Sequence, residues 1–341
     1  MGFTVTIPGL LTTIQDEGRF GYGKYGVSPS GPMDLKAFRI ANILVGNEWN
    51  ESALEATILG PTLTFDADAV IALTGADMDA RLNDNACPMY RSVAVRAGDQ
   101  LRFGAVKTGC RTYIAFAGGL DVPLMMGSRA TAIQNQIGGF QGRKLAKGDY
   151  IGIRTTQKAL KHYENRSAPL PDSYAGERTV RVILGPQDHA FTETGLQTFL
   201  NSPYSVGKDF DRMGYRLDGP VIEHIEDGNI ISDGMATGAI QVPTSGQPII
   251  MMAERQTTGG YTKIATVISV DLPIVAQCKT GDVIHFRSVS LEEAHVLWRQ
   301  QDSELRGLEA RLSKPAFHYP SKKYTVTVNG VEYQVDLTRV Q

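Results

Sequence analysis

Short apolar runs separated by turn signals recur along most of the chain, and this pattern constrains the fold more than any other feature. Examples are "SVAVRAGDQLRF" and "CRTYIAFAGG" in the first half, and "PIIMMAE" and "ATVISVDLP" in the second. Runs of about four to eight residues at this spacing favour a barrel or sandwich over alternating strands and helices. The 36 glycines among 341 residues exceed the average share of about 7%. The sequence therefore predicts a mainly β protein.

Three segments predict the few helices that flank these strands. "MDLKAFRIANILVGN" carries apolar residues at helical spacing and ends at a Gly-Asn stop. "DHAFTETGLQTFLNS" opens with Asp188, and "SLEEAHVLWRQQDSELRGLEARL" begins with a Ser290/Glu293 capping box. The last helix has few apolar positions in its second half, so we expect the helix to lie on the surface or against a partner.

A faint internal duplication predicts two similar β-barrels. The order "LGPTLTFD", "LTGADMDARLN", "RAGDQLRFG" in the first half is echoed by "LDGPVIEH", "ATGAIQVP", "KTGDVIHFR" in the second. The polar, proline-bearing stretch "TTQKALKHYENRSAPLPDSYAGER" between them is the best linker. We predict a first barrel domain over residues 1–170, a second over 171–290, and a C-terminal helix and β-hairpin over 291–341. The hairpin turn is the Asn-Gly pair of "KYTVTVNGVEYQVDL".

Composition excludes several classes of function. A net charge of -2 argues against a nucleic-acid partner. The chain contains no apolar run of about 18 residues, and its start lacks the features of a signal peptide, so we expect no membrane contact and a cytoplasmic location. Three separated cysteines suit buried thiols in a reducing compartment, and six dispersed histidines give no reason to expect a metal site.

The stretch "GYGKYG", residues 21–26, formally matches the glycine fingerprint of dinucleotide-binding proteins. That fingerprint requires a buried strand before it and a helix N-terminus after it. The upstream stretch "TTIQDEGR" is polar, and Pro29 and Pro32 interrupt any helix begun at Gly26. We therefore interpret the stretch as a glycine-rich loop rather than a cofactor site.

Two segments concentrate polar side chains among turns, namely "IQDEGRFGYGKYGVSPSGPMD" and the stretch around "ERQTTGGY". The glycine pair of "ERQTTGGY" predicts a turn whose amides form an anion-binding nest, and Arg255 offers a fork for a carboxylate or phosphate. The alternative is a simple hairpin, in which Thr257 and Thr258 satisfy the backbone and Glu254 forms a weak surface pair with Arg255. Residue chemistry alone leaves both open.

Several long segments resemble one known family. They are "TTIQDEGRFGYGKYGVSPSGPMDLKAFRIANILVGN", "LTGADMDARLN", "YIAFAGGLDVPLMMGSRAT" and the long stretch from "GAIQVP" to "GDVIHF". In these segments the chain, from about residue 3 to residue 290, is similar to the biotin-dependent carboxyltransferase subunit 2 family. That family includes allophanate hydrolase subunit 2, the C subunit of bacterial 5-oxoprolinase and the Kip antagonist KipA. The resemblance implies a pair of cyclophilin-like β-barrels. One departure is Glu254, where an aspartate is common.

The resemblance implies one component, the C subunit, of an ATP-dependent 5-oxoprolinase, which opens 5-oxo-L-proline to L-glutamate. The expected partners are the KipI-like B subunit and the A subunit of that enzyme, with ATP and Mg²⁺ used at the level of the complex. Two alternatives stay open: a KipA-type regulator that binds a KipI-like histidine-kinase inhibitor, and a carboxyltransferase subunit of a biotin-dependent urea or amide carboxylase. The C-terminal hairpin is followed by no M-K-M motif, so we expect no biotin on this chain.

Lactam opening indicates which residues of the resembling segments form the site. It needs cationic and amide donors at a developing oxyanion, and carboxylates for proton transfer. As catalytic residues we predict Asp16, Arg19, Asp34, Arg255 and Asp271. For binding of substrate or nucleotide we predict Gln15, Lys24, Tyr25, Gln241, Thr257, Thr258, Gly259, Gly260, Tyr261 and Lys263. The glycines of the first segment would let a polar loop fold closely over a site shared with a partner.

Overall fold

The computed structural model describes residues 1–154, 163–171, 174, 176–313, 322–328 and 331–337. Its element order confirms a mainly β fold with a few helices. The strands of the first unit are β1 (Gly2–Ile7), β2 (Leu11–Gln15), β3 (Ala53–Thr57), β4 (Thr62–Phe65), β5 (Ala69–Asp77), β6 (Arg81–Leu82), β7 (Asn85–Ala86), β8 (Ser92–Val95), β9 (Gln100–Arg102), β10 (Thr108–Phe116), β11 (Leu120–Asp121) and β12 (Tyr150–Ile153).

The first unit consists of two sheets rather than the closed barrel that the duplication predicts. One has the order β11-β12-β1-β4-β9-β6-β7 and the other the order β2-β3-β10-β5-β8. Side chains from both sheets form one core, in which Phe3 of β1 stacks on Phe116 of β10 with ring centroids 4.8 Å apart. Strand β5 is buried on both faces, which explains its continuous apolar sequence.

The second unit closes on itself. Its strands are β13 (Arg178–Leu184), β14 (Tyr204–Phe210), β15 (Gly214–Asp218), β16 (Asn229–Gly234), β17 (Ala239–Val242), β18 (Ile249–Met251), β19 (Thr258–Val267) and β20 (Val283–Ser288). The sheet order is β13-β20-β14-β15-β18-β17-β19-β16, and β13 also pairs with β19. Seven strands therefore form a ring around an apolar core, and β16 extends the sheet from β19.

The duplication does not hold strand by strand. "GPTLTF" in the first unit contains β4, whereas the corresponding "GPVIEH" contributes only an isolated bridge between His224 and Phe191. The two units also differ in topology, since one is a two-sheet structure and the other a closed ring. The short sequence echoes therefore mark similar turns rather than two copies of one barrel.

Within the described residues, four α-helices accompany the sheets: α1 (Leu35–Leu44), α2 (Glu193–Asn201), α3 (Leu272–Ala276) and α4 (Leu291–Ser313). Helix α1 begins where the Asp34 carboxylate accepts a 2.9 Å hydrogen bond from the Ala37 amide, and Gly46 follows its end at a positive φ of 72°. Helix α2 begins after Thr192, not at Asp188, which lies in a short 3₁₀ turn. The predicted capping box of α4 is confirmed in part, since the Glu293 amide donates to Ser290 Oγ over 3.1 Å.

Helix α4 lies on the surface as predicted, with two buried residues, Ala294 and Leu305, and its second half docks one narrow face on the first unit. Leu305 is 3% exposed and belongs to a core formed with α1 and strands β5 and β10. Arg306 lies over the Trp49 ring, 5.2 Å from its centroid. The first half docks through Ala294, which is 8% exposed, while Val296 and Trp298 on its other side are more than half exposed. Leucines at helical spacing are sufficient to bury one narrow face.

The C-terminal hairpin is confirmed, with β21 (Lys322–Val328) paired antiparallel to β22 (Val331–Leu337). Its Asn-Gly turn lies outside the described residues, as does part of the predicted linker near residue 170. The strands of the first unit end at residue 153 and those of the second lie between 178 and 288, and the predicted domain limits stay a prediction. None of the described helices is long and apolar enough to cross a membrane.

Candidate functional site

The two units meet along a surface that we call the seam, and a buried ionic network of Glu55, Arg212 and Glu254 lies within it. Arg212 donates through Nη1 to the Glu55 carboxylate of the first unit and through Nε to Glu254 Oε1 over 2.7 Å. All three side chains are at most 3% exposed. One guanidinium therefore bridges a carboxylate from each unit, in an environment where Coulombic attraction is strong and any unpaired charge is costly.

The glycine-rich loop of the first unit reaches this network. Ser30 Oγ donates to the Thr131 carbonyl over 2.5 Å and lies 3.2 Å from Glu254 Oε1. Arg212 Nη2 donates to the Gly31 carbonyl over 2.6 Å, and the side chain of Met33 is buried in the core of the second unit. The two segments singled out in the sequence therefore converge at the seam. Glu254 is a buried partner of Arg212, not half of a weak surface pair with Arg255.

Asp34 also lies at the seam. There Gln277 of the second unit contacts both Asp34 and strand β10 of the first unit. Gln277 Nε2 donates to Asp34 Oδ2 over 2.8 Å and to the Arg111 carbonyl over 3.0 Å. Burial raises the pKa of Asp34 to about 6, although hydrogen bonds from the Ala37 amide and from Gln277 act in the opposite direction. The carboxylate caps α1 and holds the units together, so its predicted catalytic role competes with two structural bonds.

Asp16 and Arg19 fix the glycine-rich loop to the loop that follows β11. Asp16 accepts from Ser128 Oγ over 2.5 Å and from the backbone amides of Gly18 and Arg129. Arg19 is 1% exposed and donates to the carbonyls of Met125, Ser128 and Ala130. Burial lowers the pKa of Arg19, and Asp16 partly offsets this effect. These contacts argue for loop positioning and against the predicted catalytic roles of both residues.

Gln15 and Asp271 are likewise engaged in holding the structure. Gln15 is fully buried, donating from Nε2 to the Thr131 carbonyl over 3.2 Å and accepting from the Gly31 amide over 3.2 Å. Asp271 receives the Arg181 guanidinium through both carboxylate oxygens, at 2.8 Å from Nε and 2.5 Å from Nη2. Proton transfer by Asp271 would require this paired arrangement to open.

A second group of polar side chains, which we call the amide–lysine cluster, consists of Gln187, Asp233, Gln241, Gln256 and Lys263. Lys263 is 4% exposed, and its Nζ lies 2.6 Å from Asp233 Oδ2. Its backbone amide donates to Gln187 Oε1 over 3.2 Å, and Gln256 Nε2 lies 3.4 Å from Gln241 Oε1. The structure therefore brings the predicted Gln241 and Lys263 into one polar region beside β16 and β19.

Arg255 lies beside this cluster and retains hydrogen-bonding capacity. Its Nε donates to the Met235 carbonyl over 2.9 Å, and its buried Nη1 has no hydrogen-bond partner within the described part of the chain. Burial lowers the pKa of Arg255. Glu254 therefore belongs to the seam, whereas its neighbour Arg255 lies beside the amide–lysine cluster. Among the predicted catalytic residues, Arg255 fits the role of an anion-binding donor best.

The glycine pair of "ERQTTGGY" does not form the predicted nest. Gly259 and Gly260 lie within β19, where neither has a positive φ, so their amides alternate along a strand. A Cβ on Gly259 would approach Gln241 Nε2 to 2.5 Å and Met235 Cε to 2.6 Å, so these two flexible side chains would have to move to admit a larger residue. Thr258 begins the strand, and the Thr257 carbonyl accepts from the Met235 amide over 3.0 Å. The hairpin alternative does not describe the backbone either, because among the described strands β19 pairs with β17, β16 and β13 and the preceding strand β18 pairs with β15 and β17.

The exposed members of the predicted set are Lys24, Tyr25, Thr258 and Tyr261. The first two lie in a short 3₁₀ turn at Gly23–Tyr25, with Lys24 Nζ 4.9 Å from the Tyr25 ring centroid. The buried strand β2 does precede this turn, contrary to the expectation from its polar sequence, because its threonines and glutamine pair inside the protein. No helix begins at Gly26, so the dinucleotide interpretation still fails.

Sequence reasoning missed Glu55, Arg111, Arg212 and Gln277, which are all buried at the seam. A usable signal existed for two of them, because Glu55 and Arg111 are single charges inside otherwise apolar strand segments, "SALEATI" and "GCRTYIAF". The described residues contain no group of three histidine, cysteine or acidic side chains able to hold a metal ion. Burial raises the pKa of the Cys87 and Cys278 thiols to about 11.

Comparison with known proteins shows where the chain belongs. The family model described as "Carboxyltransferase domain, subdomain A and B" matches residues 25–288. The chain is 40% identical over 296 residues to the C subunit of 5-oxoprolinase from Escherichia coli, covering 87% of this chain and 93% of that protein. It is 38% identical over 290 residues to the C subunit of 5-oxoprolinase from Haemophilus influenzae, covering 85% and 92%.

Among solved structures, the urea amidolyase of Kluyveromyces lactis matches with a TM-score of 0.85 and 33% identity, covering 90% of this chain. This chain spans only 20% of that much longer protein. The family model covers well over half of the sequence, and the bacterial relatives match along nearly their whole length. The chain therefore belongs to the carboxyltransferase domain, subdomain A and B, family.

Proposed function

We propose that this chain is the C subunit of an ATP-dependent 5-oxoprolinase complex, which opens 5-oxo-L-proline to L-glutamate. The observation that carries the proposal is the 40% identity to the E. coli protein of that name over 93% of its length. A cytoplasmic location is part of the proposal, because the three cysteines are buried free thiols, as a reducing compartment favours.

The proposed reaction adds water across the lactam amide. The water oxygen bonds to the ring carbonyl carbon, the carbon–nitrogen bond breaks, and the nitrogen takes up a proton to become the amine of glutamate. Negative charge develops on the carbonyl oxygen, so fixed positive donors lower the barrier. Two buried cations are candidates: Arg255 beside the amide–lysine cluster, whose Nη1 has no partner among the described residues, and Lys263 within the cluster, which Asp233 holds. We propose Arg255 as the donor.

ATP and Mg²⁺ belong to the proposal at the level of the complex. The fit of this chain to a nucleotide is poor, because the glycine pair forms a strand and the "GYGKYG" loop leads into no helix. The described residues also offer no cluster of three metal-binding side chains. We therefore assign no step involving the nucleotide to residues of this chain, and propose that another protein of the complex holds the ATP site.

The expected partners are the KipI-like B subunit and the A subunit of the complex. The loops of the first unit fixed by Arg19 expose large apolar side chains: Phe20 is 70% exposed, Leu124 59% and Met125 46%. Arg19 Nε donates to the Met125 carbonyl, so these loops lie side by side. Exposed apolar groups grouped on one face are typical of a protein contact. We propose this loop pair as part of the contact with the B subunit.

Carboxyl transfer to urea or another amide is a second candidate, favoured by the TM-score of 0.85 to the urea amidolyase structure. It would require a biotinylated protein in addition to this chain. A regulatory role of the KipA type predicts binding to a KipI-like protein without turnover.

The test is ATP hydrolysis by this chain mixed with the purified A and B subunits, measured with and without 5-oxo-L-proline. The proposal predicts hydrolysis that depends on 5-oxo-L-proline and on all three proteins. Hydrolysis that urea stimulates only when a biotinylated carrier is added would favour carboxyl transfer. A stable complex with the B subunit that never turns over would favour the regulatory role.

A further inference from the structure

Lys263 in the amide–lysine cluster is a buried cation whose acidic partner is exposed. The side chain of Lys263 is 5% exposed, whereas that of Asp233, which it binds over 2.6 Å, is 57% exposed. A buried ammonium is costly unless it is paired, and a partner buried with it would serve that purpose. Here the partner comes instead from β16, at the edge of the sheet. The position of the anion beside Lys263 can therefore be reached from solvent on the side of Asp233.

The bonds to the Asp233 carboxylate show that this position suits a carboxylate. Besides Lys263 Nζ, the carboxylate is bound by the Gln187 side chain and, over 2.7 Å, by the Gly234 backbone amide. These hydrogen bonds lower the pKa of Asp233, and the bond from Lys263 has the largest effect. Gln187 Oε1 accepts from the Lys263 backbone amide over 3.2 Å, so the amide and the ammonium stay together if Asp233 leaves. An ammonium beside a side-chain amide is a donor set for a carboxylate.

Strand β16, which carries Asp233, is weakly held. Among the described strands it pairs only with β19, and the register is interrupted between Asn229 and Asp233. Five of its six residues are exposed, Ile231 to 94%, and none belongs to the apolar core of the second unit. The ring of strands closes without it, through the pairing of β13 with β19. A segment with so few buried contacts opens at low cost, so β16 can carry Asp233 away from Lys263 while the ring stays closed.

Arg255 places a second cation in the same neighbourhood. Its Nε donates to the Met235 carbonyl over 2.9 Å, whereas Lys263 Nζ lies 3.3 Å from the carbonyl oxygen of Gly234, the preceding residue. Because consecutive Cα atoms are about 3.8 Å apart, the two cations flank the same end of β16. A ligand with a carboxylate at one end and a polarisable carbonyl at the other matches this pair of positive groups.

We propose that the amide–lysine cluster binds the carboxylate of a small ligand at Lys263 and Gln187, in the position that Asp233 occupies in the structure, and that β16 moves aside to admit it. Asp233 is then an internal competitor. The ligand binds only to molecules in which the strand has moved, and its apparent affinity is reduced by their fraction. The choice of 5-oxo-L-proline as the ligand rests on the proposed function. In that ligand Lys263 holds the carboxylate and Arg255 faces the lactam carbonyl.

The first test is binding of 5-oxo-L-proline to the full chain, on its own and with the B subunit, by calorimetry. The matched probe is 2-pyrrolidinone, which has the same lactam ring without the carboxylate. We expect 2-pyrrolidinone to bind at least about tenfold more weakly, because the charge-assisted hydrogen bonds are lost. Equal binding of the two compounds, or no binding of 5-oxo-L-proline to either preparation, would overturn the site.

Two substitutions within the cluster have opposite expected effects on the affinity for 5-oxo-L-proline. Asp233→Asn removes the competing charge, so we expect binding to become at least about threefold tighter. Lys263→Gln removes the ammonium, so we expect binding to weaken more than about tenfold. Asp227→Asn changes an exposed acid just before β16 whose carboxylate is bonded to Asn229, and as the control it should leave the affinity unchanged.

The Asp233→Asn variant distinguishes a ligand site from a purely structural ion pair. A structural pair predicts lower stability for this variant and no gain in affinity. Weaker or unchanged binding of 5-oxo-L-proline by Asp233→Asn would therefore overturn the proposal, even if Lys263→Gln does not fold.

A reversible lock on β16 tests the movement without removing a charge. A Cβ on Gly260 would lie 3.6 Å from Ser232 Oγ, so Ser232→Cys combined with Gly260→Cys brings two thiols within reach of a disulfide between β16 and β19. We expect the oxidised double variant to bind 5-oxo-L-proline at least about tenfold more weakly than the same protein after reduction. Equal affinity in the two states would contradict the movement of the strand.

Failure of the site and failure of the proposed function are distinguishable. An active complex whose KM for 5-oxo-L-proline is unchanged by both Asp233→Asn and Lys263→Gln contradicts the site alone. Carboxylate-dependent binding that follows the expected order of the variants, without turnover by the complex, contradicts the proposed function alone.

Discussion

Ser30 in the glycine-rich loop and Glu254 in the second unit lie 3.2 Å apart, measured from Ser30 Oγ to Glu254 Oε1, in a fully buried environment. They belong to the two segments that the sequence singles out for their polar residues, separated by more than two hundred positions. Their contact shows that these segments form one region of the protein. Arg212, which binds Glu254 and the carbonyl of Gly31, holds that region together.

Loss of the Glu254 carboxylate should destabilise the seam. Glu254→Ala leaves Arg212 with one carboxylate instead of two in a buried site, and removing one partner of a buried pair costs about 3–5 kcal/mol. Chemical denaturation should show a fall of this size in the free energy of unfolding. Glu304→Ala, which breaks an exposed 3.8 Å pair with Lys36, should change it by less than about 1 kcal/mol. Equal falls in the free energy of unfolding for the two variants would contradict a stabilising role of the buried Glu254–Arg212 pair.

Asp34 should make stability depend on pH in a defined direction. Its pKa is raised from 3.8 to about 6, so its contribution is full below pH 3.8 and is lost as the pH rises through about 6. The difference in unfolding free energy between wild type and Asp34→Asn should therefore fall from about pH 4 to about pH 7, by up to about 3 kcal/mol. A difference in unfolding free energy that is flat or rises over this interval would exclude a raised pKa for the buried Asp34 carboxyl.

Arg255→Ala should reduce activity of the complex far more than it reduces stability. The side chain is half-buried, and its Nη1 has no partner in the described part of the chain. Loss of one donor to a developing oxyanion typically costs about 10²–10³ in kcat. Specific activity of the reconstituted complex and the thermal midpoint would be measured together, with the exposed Arg299→Ala as the control. A large drop in midpoint with normal specific activity would reject Arg255 as a site residue.

Helix α4 should contribute to stability through its second half. Leu305 is 3% exposed against α1, and Leu305→Ala should lower the free energy of unfolding by about 2–5 kcal/mol. Val296 is 61% exposed in the first half of the same helix, so Val296→Ala should have almost no effect. A comparison of denaturation curves for the two variants checks this. Equal, small effects would show that the helix does not dock in solution.

The sequence predicts local features of this fold well. The Ser290 cap, helix α1 and the C-terminal hairpin depend on neighbouring residues, and each lies where the pattern indicates. The nest at Gly259 fails for a physical reason. Gly259 lies inside strand β19, next to the Gln241 side chain of the neighbouring strand β17, and a glycine pair in a sequence does not distinguish such a strand from a turn.

The candidate site was only partly predictable, because its members come from distant parts of the chain. Arg212 lies in the unremarkable turn "FDRMG", and nothing local shows that it meets Glu55 and Glu254. Asp16 and Arg19 are conspicuous in the sequence, yet their hydrogen bonds fix loops. Long-range pairing decides whether a buried charge serves chemistry or structure, and that pairing is visible only in the folded chain.

The most direct test of the proposed 5-oxoprolinase function is the release of glutamate from 5-oxo-L-proline and ATP by this chain combined with the A and B subunits. The proposed function predicts release with all three proteins, none when this chain is omitted, and a loss of about 10²–10³ with Arg255→Ala. Full release without this chain, or no release from any mixture that contains a stable complex, would contradict it.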